Sequence, residues 1–274
     1  MAEIDGTKYL YNNNVFPTKD MDEFSHPPYH NDTIYEVIRL EESVPLFLED
    51  YLNRLENSFG LNRLQIPYSR TEIKASIKKL AELNACTEGP VKLLFGNGNP
   101  RYFMLYMMKP HLPKPEEYQT GVRTIFLHET RLNPNAKNLN TSLRNRSEKM
   151  LADADAYESI LVNEDGWITE GSRSNIFFTR GHEIFTTPDY LILPGITRKK
   201  VLKILNDSGF QITFATIRPA DLPGFNSCFL TGTTRKIVPV RSIGEYNFSV
   251  KEPVLDQISK RFEEFVGDYI SGSK

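Results

Sequence analysis

The chain has 274 residues, enough to bury a sizeable core as one large domain or two modest ones. Hydrophobic, charged and aromatic fractions of 39%, 25% and 11% are ordinary for a globular protein, and two cysteines, Cys86 and Cys228, exclude a disulfide framework or a Cys-based metal site. A net charge of −2 without any basic run argues against nucleic acid as a partner, and no apolar stretch approaches the roughly eighteen residues of a membrane span.

In chain order, the start "MAEIDGTKYL" lacks the apolar segment of a secretory signal, so a reduced, cytoplasmic setting is expected. His26 and His30 are the only neighbouring histidines; Pro27 and Pro28 between them break the helical face a metal pair would share, and no metal is expected. "TIYEVIRLEESVPLFL" predicts two strands around a turn at Glu41–Ser43. Leu48, Leu52, Leu55 and Phe59 then share one helical face. A second helix follows in "YSRTEIKASIKKLAELN", where Ser69 and Glu72 have capping-box spacing. "GPVKLLFGNGNPRYFMLYMM" reads as two strands across Gly96–Pro100.

The stretch 108–121, with three prolines and no apolar period, reads as a linker. It divides the chain into a small N-terminal α+β domain (1–110), a connection (111–120) and a larger C-terminal domain (121–274). In the larger part, "VRTIFLHE" is a strand and 139–154 a helix, while "SILVNEDGWITE" and "NIFFTRGHEIFTT" are hairpins. "PGITRKKVLKILNDSGF" is a helix opened by Pro194, lined by Val201, Leu202 and Leu205, and closed by Gly209. "SCFLTGTTRKIVPV" gives a strand, a Gly/Thr turn and a second strand, before a last helix at about 253–270.

Several positions invite chemistry. Glu170, in "WITEGSRSNIFFT", is a carboxylate at a strand end, read either as solvated or as the partner of a ligand cation. Gly195, Ile196 and Thr197 open a helix whose first amides point outward, a ready anion site or a plain helix start. Thr231, Gly232, Thr233 and Thr234 form a second turn rich in amides and hydroxyls. Arg54 lies roughly 130° from the centre of the apolar stripe of its helix, off the core face, where it pairs with Asp50 or turns toward a phosphate. Lys137 precedes a helix and nothing local singles it out. Together, two anion turns, an arginine, a lysine and a carboxylate suit pyridoxal 5′-phosphate (PLP), which needs a Schiff-base lysine, a phosphate cradle and an acid facing its ring nitrogen.

The chain resembles the class IV, or fold type IV, PLP-dependent aminotransferases, a family that includes branched-chain and D-amino acid aminotransferases and aminodeoxychorismate lyases. The resemblance runs in family order through "DTIYEVIRL", "LEDYLNRLENS", "NAKNLN", "GWITEGSRSNIFF", "LILPGITRKKVL" and "FLTGTTRKIVPV". It implies a small N-terminal α/β sandwich, a larger domain with a β-barrel-like core, and a homodimer. It also implies roles: Lys137 as Schiff-base lysine and proton shuttle, and Glu170 on the pyridinium nitrogen. Arg54, the Gly195–Ile196–Thr197 turn, Gly232 and Thr233 would hold the phosphate, with Ser174 and Asn175 shaping the ring site. Thr234 would lie near the substrate carboxylate, and Tyr35 would line the pocket. The chain departs from the family where Tyr51 replaces a histidine, in "FGNGNP" and in "PYHNDTIYE", so the substrate does not transfer with the cofactor; Lys92 or Arg39 could supply a cation to it. The activity implied first is amino transfer between an amino acid and a 2-oxo acid by a ping-pong mechanism. An aminodeoxychorismate lyase is the alternative, favoured by the 33-residue separation of Lys137 and Glu170. A PLP-binding homologue without catalysis is the third reading.

Overall fold

The computed structural model describes residues 4–21, 33–98, 101–131 and 133–273; His26 and His30 lie outside them. By its contacts the chain forms two compact units, Met1–His111 with Ala136–Thr141 and Gly267–Lys274, and Leu112–Asn135 with Ser142–Val266.

In the first unit the elements are β1 (Ile4–Tyr11), β2 (Asn14–Pro17), β3 (Ile34–Glu41), β4 (Val44–Pro45), α1 (Leu48–Leu61), α2 (Arg70–Leu83), β5 (Gly89–Gly96) and β6 (Tyr102–Met108). The six strands form an antiparallel sheet in the order β2-β1-β6-β5-β3-β4. The turn between β3 and β4 falls where predicted, with Glu42 and Ser43 both at positive φ, 50° and 65°. Strand β3 alternates strictly: Ile34, Glu36, Ile38 and Leu40 are buried and the residues between them half-buried. Leu48, Leu52, Leu55 and Phe59 of α1 are all buried, as their spacing requires. Helix α2 begins with the capping box: Ser69 Oγ accepts from the Glu72 N–H, and a Glu72 carboxylate oxygen accepts from the Ser69 N–H at 2.7 Å. Strands β1 and β2 have no counterpart in the sequence reading: β1 buries only Tyr9 and Leu10, β2 is four residues long and largely exposed, and pairing of β1 with β6 and of β2 with β1 makes them strands.

The remaining elements are α3 (Glu117–Thr120), β7 (Val122–His128), α4 (Thr141–Ala154), β8 (Glu158–Val162), β9 (Ile168–Gly171), β10 (Asn175–Arg180), β11 (Glu183–Thr186), α5 (Ile196–Asp207), β12 (Gln211–Phe214), β13 (Ser227–Gly232), β14 (Lys236–Ile243), β15 (Tyr246–Asn247) and α6 (Pro253–Ser273). The second unit's sheet runs β12-β11-β10-β13-β14-β7-β8-β9, and a bridge between Gly171 and Ser174 ties its last strand to the start of β10, so this sheet curls into a half-barrel. Its core contains Val122, Ile160, Ile176, Phe178, Leu230, Val238 and Val240. On the opposite sheet face, Phe177 and Phe229 are cross-strand partners with rings stacked at 4.9 Å.

Three details differ from the sequence reading. Helix α5 begins at Ile196 rather than Pro194, because Gly195 is extended at φ −64° and ψ 144° and serves as the N-cap. On α5, Leu202 is only half-buried and Ile204 takes its place on the core face. Lys137, expected in the larger C-terminal part, groups with the first unit. The Tyr35 N–H donates to the Lys137 carbonyl, the Lys137 N–H to Ser58 Oγ, and the Leu139 N–H to the Thr33 carbonyl, at 3.1, 3.1 and 2.8 Å.

Both cysteines are free thiols. Cys228 is enclosed in the half-barrel core, and burial pushes its thiol well above the usual range, whereas Cys86 is partly exposed. Native protein treated with iodoacetamide at mild alkaline pH should be labelled at Cys86 alone; a mass spectrum with Cys228 modified would show that the core opens.

Candidate active site

The residues singled out in the sequence fall into two sets, one in each unit. In the first unit are Tyr35, Arg54 and Lys137. Tyr35 lies on the half-buried face of β3, and Lys137 Nζ stands 4.8 Å from its ring centroid. Lys92, buried on β5 opposite Val37, has its Nζ 5.7 Å from the centroids of both Tyr35 and Tyr106. The segment around Lys137 is clamped to α1 and β3 by its backbone bonds and by Asn138, whose side chain exchanges hydrogen bonds with Asn62 at 2.9 and 3.0 Å.

Arg54 is not on an open face, as the helical wheel suggested, but buried. Its Nε and one terminal nitrogen donate to the two oxygens of Glu36 at 2.8 and 2.6 Å. The reason lies in β3, whose alternation turns Glu36 inward against α1, where a carboxylate requires a counter-charge. Burial works against the arginine's charge, but Glu36 outweighs it and holds the guanidinium above its ordinary pKa. The sequence carried the signal, a carboxylate on the apolar face of β3 between Ile34 and Ile38.

In the second unit are Glu170, Ser174, Asn175, Gly195, Ile196, Thr197, Gly232, Thr233 and Thr234. Glu170, at 3% exposure, is not solvated. It accepts from Arg131 Nε at 2.7 Å, from the Leu193 N–H at 3.2 Å and from Asn175 Nδ2 at 3.3 Å. Arg131 also donates to the Ser172 carbonyl. Asn175 joins this cluster to α5: its Nδ2 donates to the Leu193 carbonyl at 2.9 Å, and its Oδ1 accepts from the Gly195 N–H at 3.1 Å. A Cβ on residue 195 would stand 2.2 Å from that Oδ1, so glycine is required there by close approach.

Gly195 offers no side-chain cap, so the amides of Ile196 and Thr197 keep the anion-binding potential of a helix start. The turn 232–234 follows β13 and leads into Lys236, whose φ is 57°. Arg198 anchors the segment before α5, donating to Asp189 at 2.6 Å and to the Thr187 carbonyl at 2.8 Å. Burial lowers its pKa, partly offset by Asp189.

Sequence reasoning missed Arg131, Arg198 and the buried pair Glu158–Arg235, 2.8 Å apart. Arg131 and Arg235 lie in loops and carry no periodic signal, and Arg198 is in the first turn of α5, where its charge gives no sign of burial. Glu158, at the head of the apolar run "ESILV", was readable as a carboxylate entering a core. Burial pushes its carboxyl up, but Arg235, Ser172, Arg173 and the Ser159 N–H together bring it below the usual glutamate range. A depressed folded-state pKa stabilises fully above the unfolded value of about 4.3 and loses that contribution as pH falls through the folded value. An acid melting series should therefore steepen below about pH 4.3, and Glu158→Gln should flatten that loss; identical pH profiles would remove Glu158 as its source.

Residues 33–243 match the family model for amino-transferase class IV, and the chain belongs to that family of PLP-dependent enzymes. It is similar to a D-alanine aminotransferase of Bacillus licheniformis, 30% identical over 77% of this chain and 79% of the relative. A putative branched-chain-amino-acid aminotransferase of Methanocaldococcus jannaschii is 26% identical over 88% of each chain. Among solved structures, the fold is shared with the branched-chain amino acid aminotransferase from Thermobaculum terrenum in its PLP-bound holo form, at 20% identity, TM-score 0.81, and 97% and 95% coverage of the two chains. The protein is thus an aminotransferase of fold type IV, and nothing in these relatives favours the lyase.

The second unit's residues fit PLP on structural grounds. The first amides of α5 suit a phosphate, and the anchored Glu170 suits a ring nitrogen. Thr231 Oγ1, beside Asn175 in the β10–β13 register, is buried with no hydrogen-bond partner among the described residues. A buried hydroxyl left in that state costs free energy that a polar ligand would recover.

Proposed function

We propose that this enzyme moves amino groups between an amino acid and a 2-oxo acid, with Lys137 as the base and Glu170 as the electrostatic anchor of the cofactor ring. The observation that carries the reading is Glu170, a buried carboxylate fixed by Arg131, Asn175 and the Leu193 amide rather than left to solvent. Bound PLP supplies an electron sink for the carbanion left when the substrate Cα loses its proton. In this reading Lys137 Nζ removes that proton and returns one to the other end of the reacting system, and the Tyr35 ring beneath it limits where the amine can swing.

Glu170 holds a proton on the ring nitrogen, its own position set by Arg131. The amides of Ile196 and Thr197, with Gly232 and Thr233, bind the phosphate together with Arg54, whose guanidinium Glu36 holds in place. Ser174 and Asn175 shape the ring site, and Thr234 binds the substrate carboxylate. The proposal includes a cytoplasmic homodimer, a setting that the two free thiols support.

Mixing enzyme with single L- and D-amino acids, while watching the cofactor absorbance convert to the pyridoxamine form, tests the reading. Conversion with one stereochemical series, reversed by a 2-oxo acid, is expected. No conversion with any amino acid would overturn amino transfer. Glu170→Gln should keep PLP yet lower kcat by about 10²-fold, the scale of losing one preorganised electrostatic partner; an unchanged kcat would remove Glu170 from the chemistry.

A further inference from the structure

We propose that the buried Glu158–Arg235 ion pair is a positioning device that ties the turn carrying Thr233 and Thr234 to the turn that orients Glu170. This rests on the site reading above and concerns residues that do not themselves touch substrate. Arg235 follows Thr234 directly, and its side chain folds back under the turn. A Cβ on Gly232 would meet Arg235 Cγ at 3.2 Å and Nε at 3.4 Å. Its Nη1 then donates to Glu158 Oε2 at 2.8 Å, its guanidinium carbon lies 5.0 Å from the Tyr157 ring centroid, and its carbonyl accepts from Tyr118 OH. Both charged side chains are at most 3% exposed.

Glu158 distributes that contact to the opposite turn. One oxygen accepts from Ser172 Oγ at 2.6 Å and from the Ser159 N–H at 3.0 Å; the other accepts from Ser174 Oγ at 3.1 Å. Ser172 is held a second time by Ser147 Oγ, which also bonds Ser159 Oγ. The Ser172 carbonyl accepts from Arg131, the residue paired with Glu170. A continuous polar path therefore runs from Thr234 through Arg235, Glu158, Ser172 and Arg131 to Glu170. Gly171, between Glu170 and Ser172, has no room for a side chain: its Cβ would stand 2.1 Å from Ser174 Oγ and 3.2 Å from Glu158 Cγ.

A pair that served stability alone would be dispensable once both charges were removed, since a buried ion pair and a neutral replacement differ little in stability. A positioning pair would not, because a neutral replacement cannot restore the register of the two turns. The test uses the full-length enzyme stripped of cofactor, as wild type, Arg235→Met, Glu158→Gln with Arg235→Met, and Arg235→Lys. PLP dissociation constants are read from the quenching of Trp167, the single tryptophan, and apoprotein melting temperatures are read in parallel.

Arg235→Met should lower the melting temperature and weaken PLP by at least about tenfold, the loss of one charge-assisted hydrogen bond. The double variant should regain melting temperature while PLP remains weak, and Arg235→Lys should recover part of the affinity. Recovery of both properties in the double variant, or wild-type PLP affinity in Arg235→Met, would overturn the proposal. If Arg235→Met does not fold, the double variant alone decides. Wild-type protein that bound no PLP would overturn the site reading itself, an outcome distinct from uniform binding across the variants.

Discussion

Lys137→Ala should lose at least about 10³-fold in kcat, the loss expected when a single group supplies both covalent attachment and proton transfer. The Lys137 N–H donates to Ser58 Oγ and its carbonyl accepts from the Tyr35 N–H, and both of these backbone bonds survive the substitution. The alanine variant should therefore fold with a melting temperature close to wild type. Borohydride reduction of wild-type holoenzyme should leave a pyridoxyl mass on the peptide containing Lys137, and the variant should show none. An adduct on another lysine, or a variant that still turns over within tenfold of wild type, would refute the assignment.

Glu36→Leu should cost about 3–5 kcal/mol of stability, because it strands the buried Arg54 charge without its partner. Arg54→Leu should cost a comparable amount by stranding Glu36. The double variant should recover most of the loss, as removing both charges also removes the need to desolvate them. Urea titrations of the two single variants and the double complete the cycle. A loss below about 1 kcal/mol in either single variant would mean that the pair behaves like an exposed one. PLP affinity tests the second duty proposed for Arg54: if it holds the phosphate, the double variant should remain weak for PLP even where stability returns.

Secondary structure was largely legible because its signals are local. The 4-3-4 spacing from Leu48 to Phe59 and the Ser69–Glu72 capping box needed only residues close in sequence, and both stand in the structure. The hairpins at Glu164–Gly166 and Arg180–Gly181 were legible for the same reason. What failed was long-range. Strands β1 and β2 exist through pairing, β1 with β6 and β2 with β1, and β7 is placed by parallel neighbours, β14 and β8, far from it in the chain. Arg54 shows the failure at one side chain: a helical wheel knows the angle of a residue but not what faces it.

The same division runs through the site. The motifs from "NAKNLN" to "FLTGTTRKIVPV" determined the family and supplied the residue types proposed to address the cofactor, because that chemistry demands a lysine, a carboxylate and anion-binding turns. Only the tertiary structure decided what holds those residues. Arg131 sits on Glu170, Asn175 on Gly195, Glu36 on Arg54 and Arg235 on Glu158, across separations of 39, 20, 18 and 77 positions. A buried charge must find its partner in space, and distance along the chain carries no record of who that partner is.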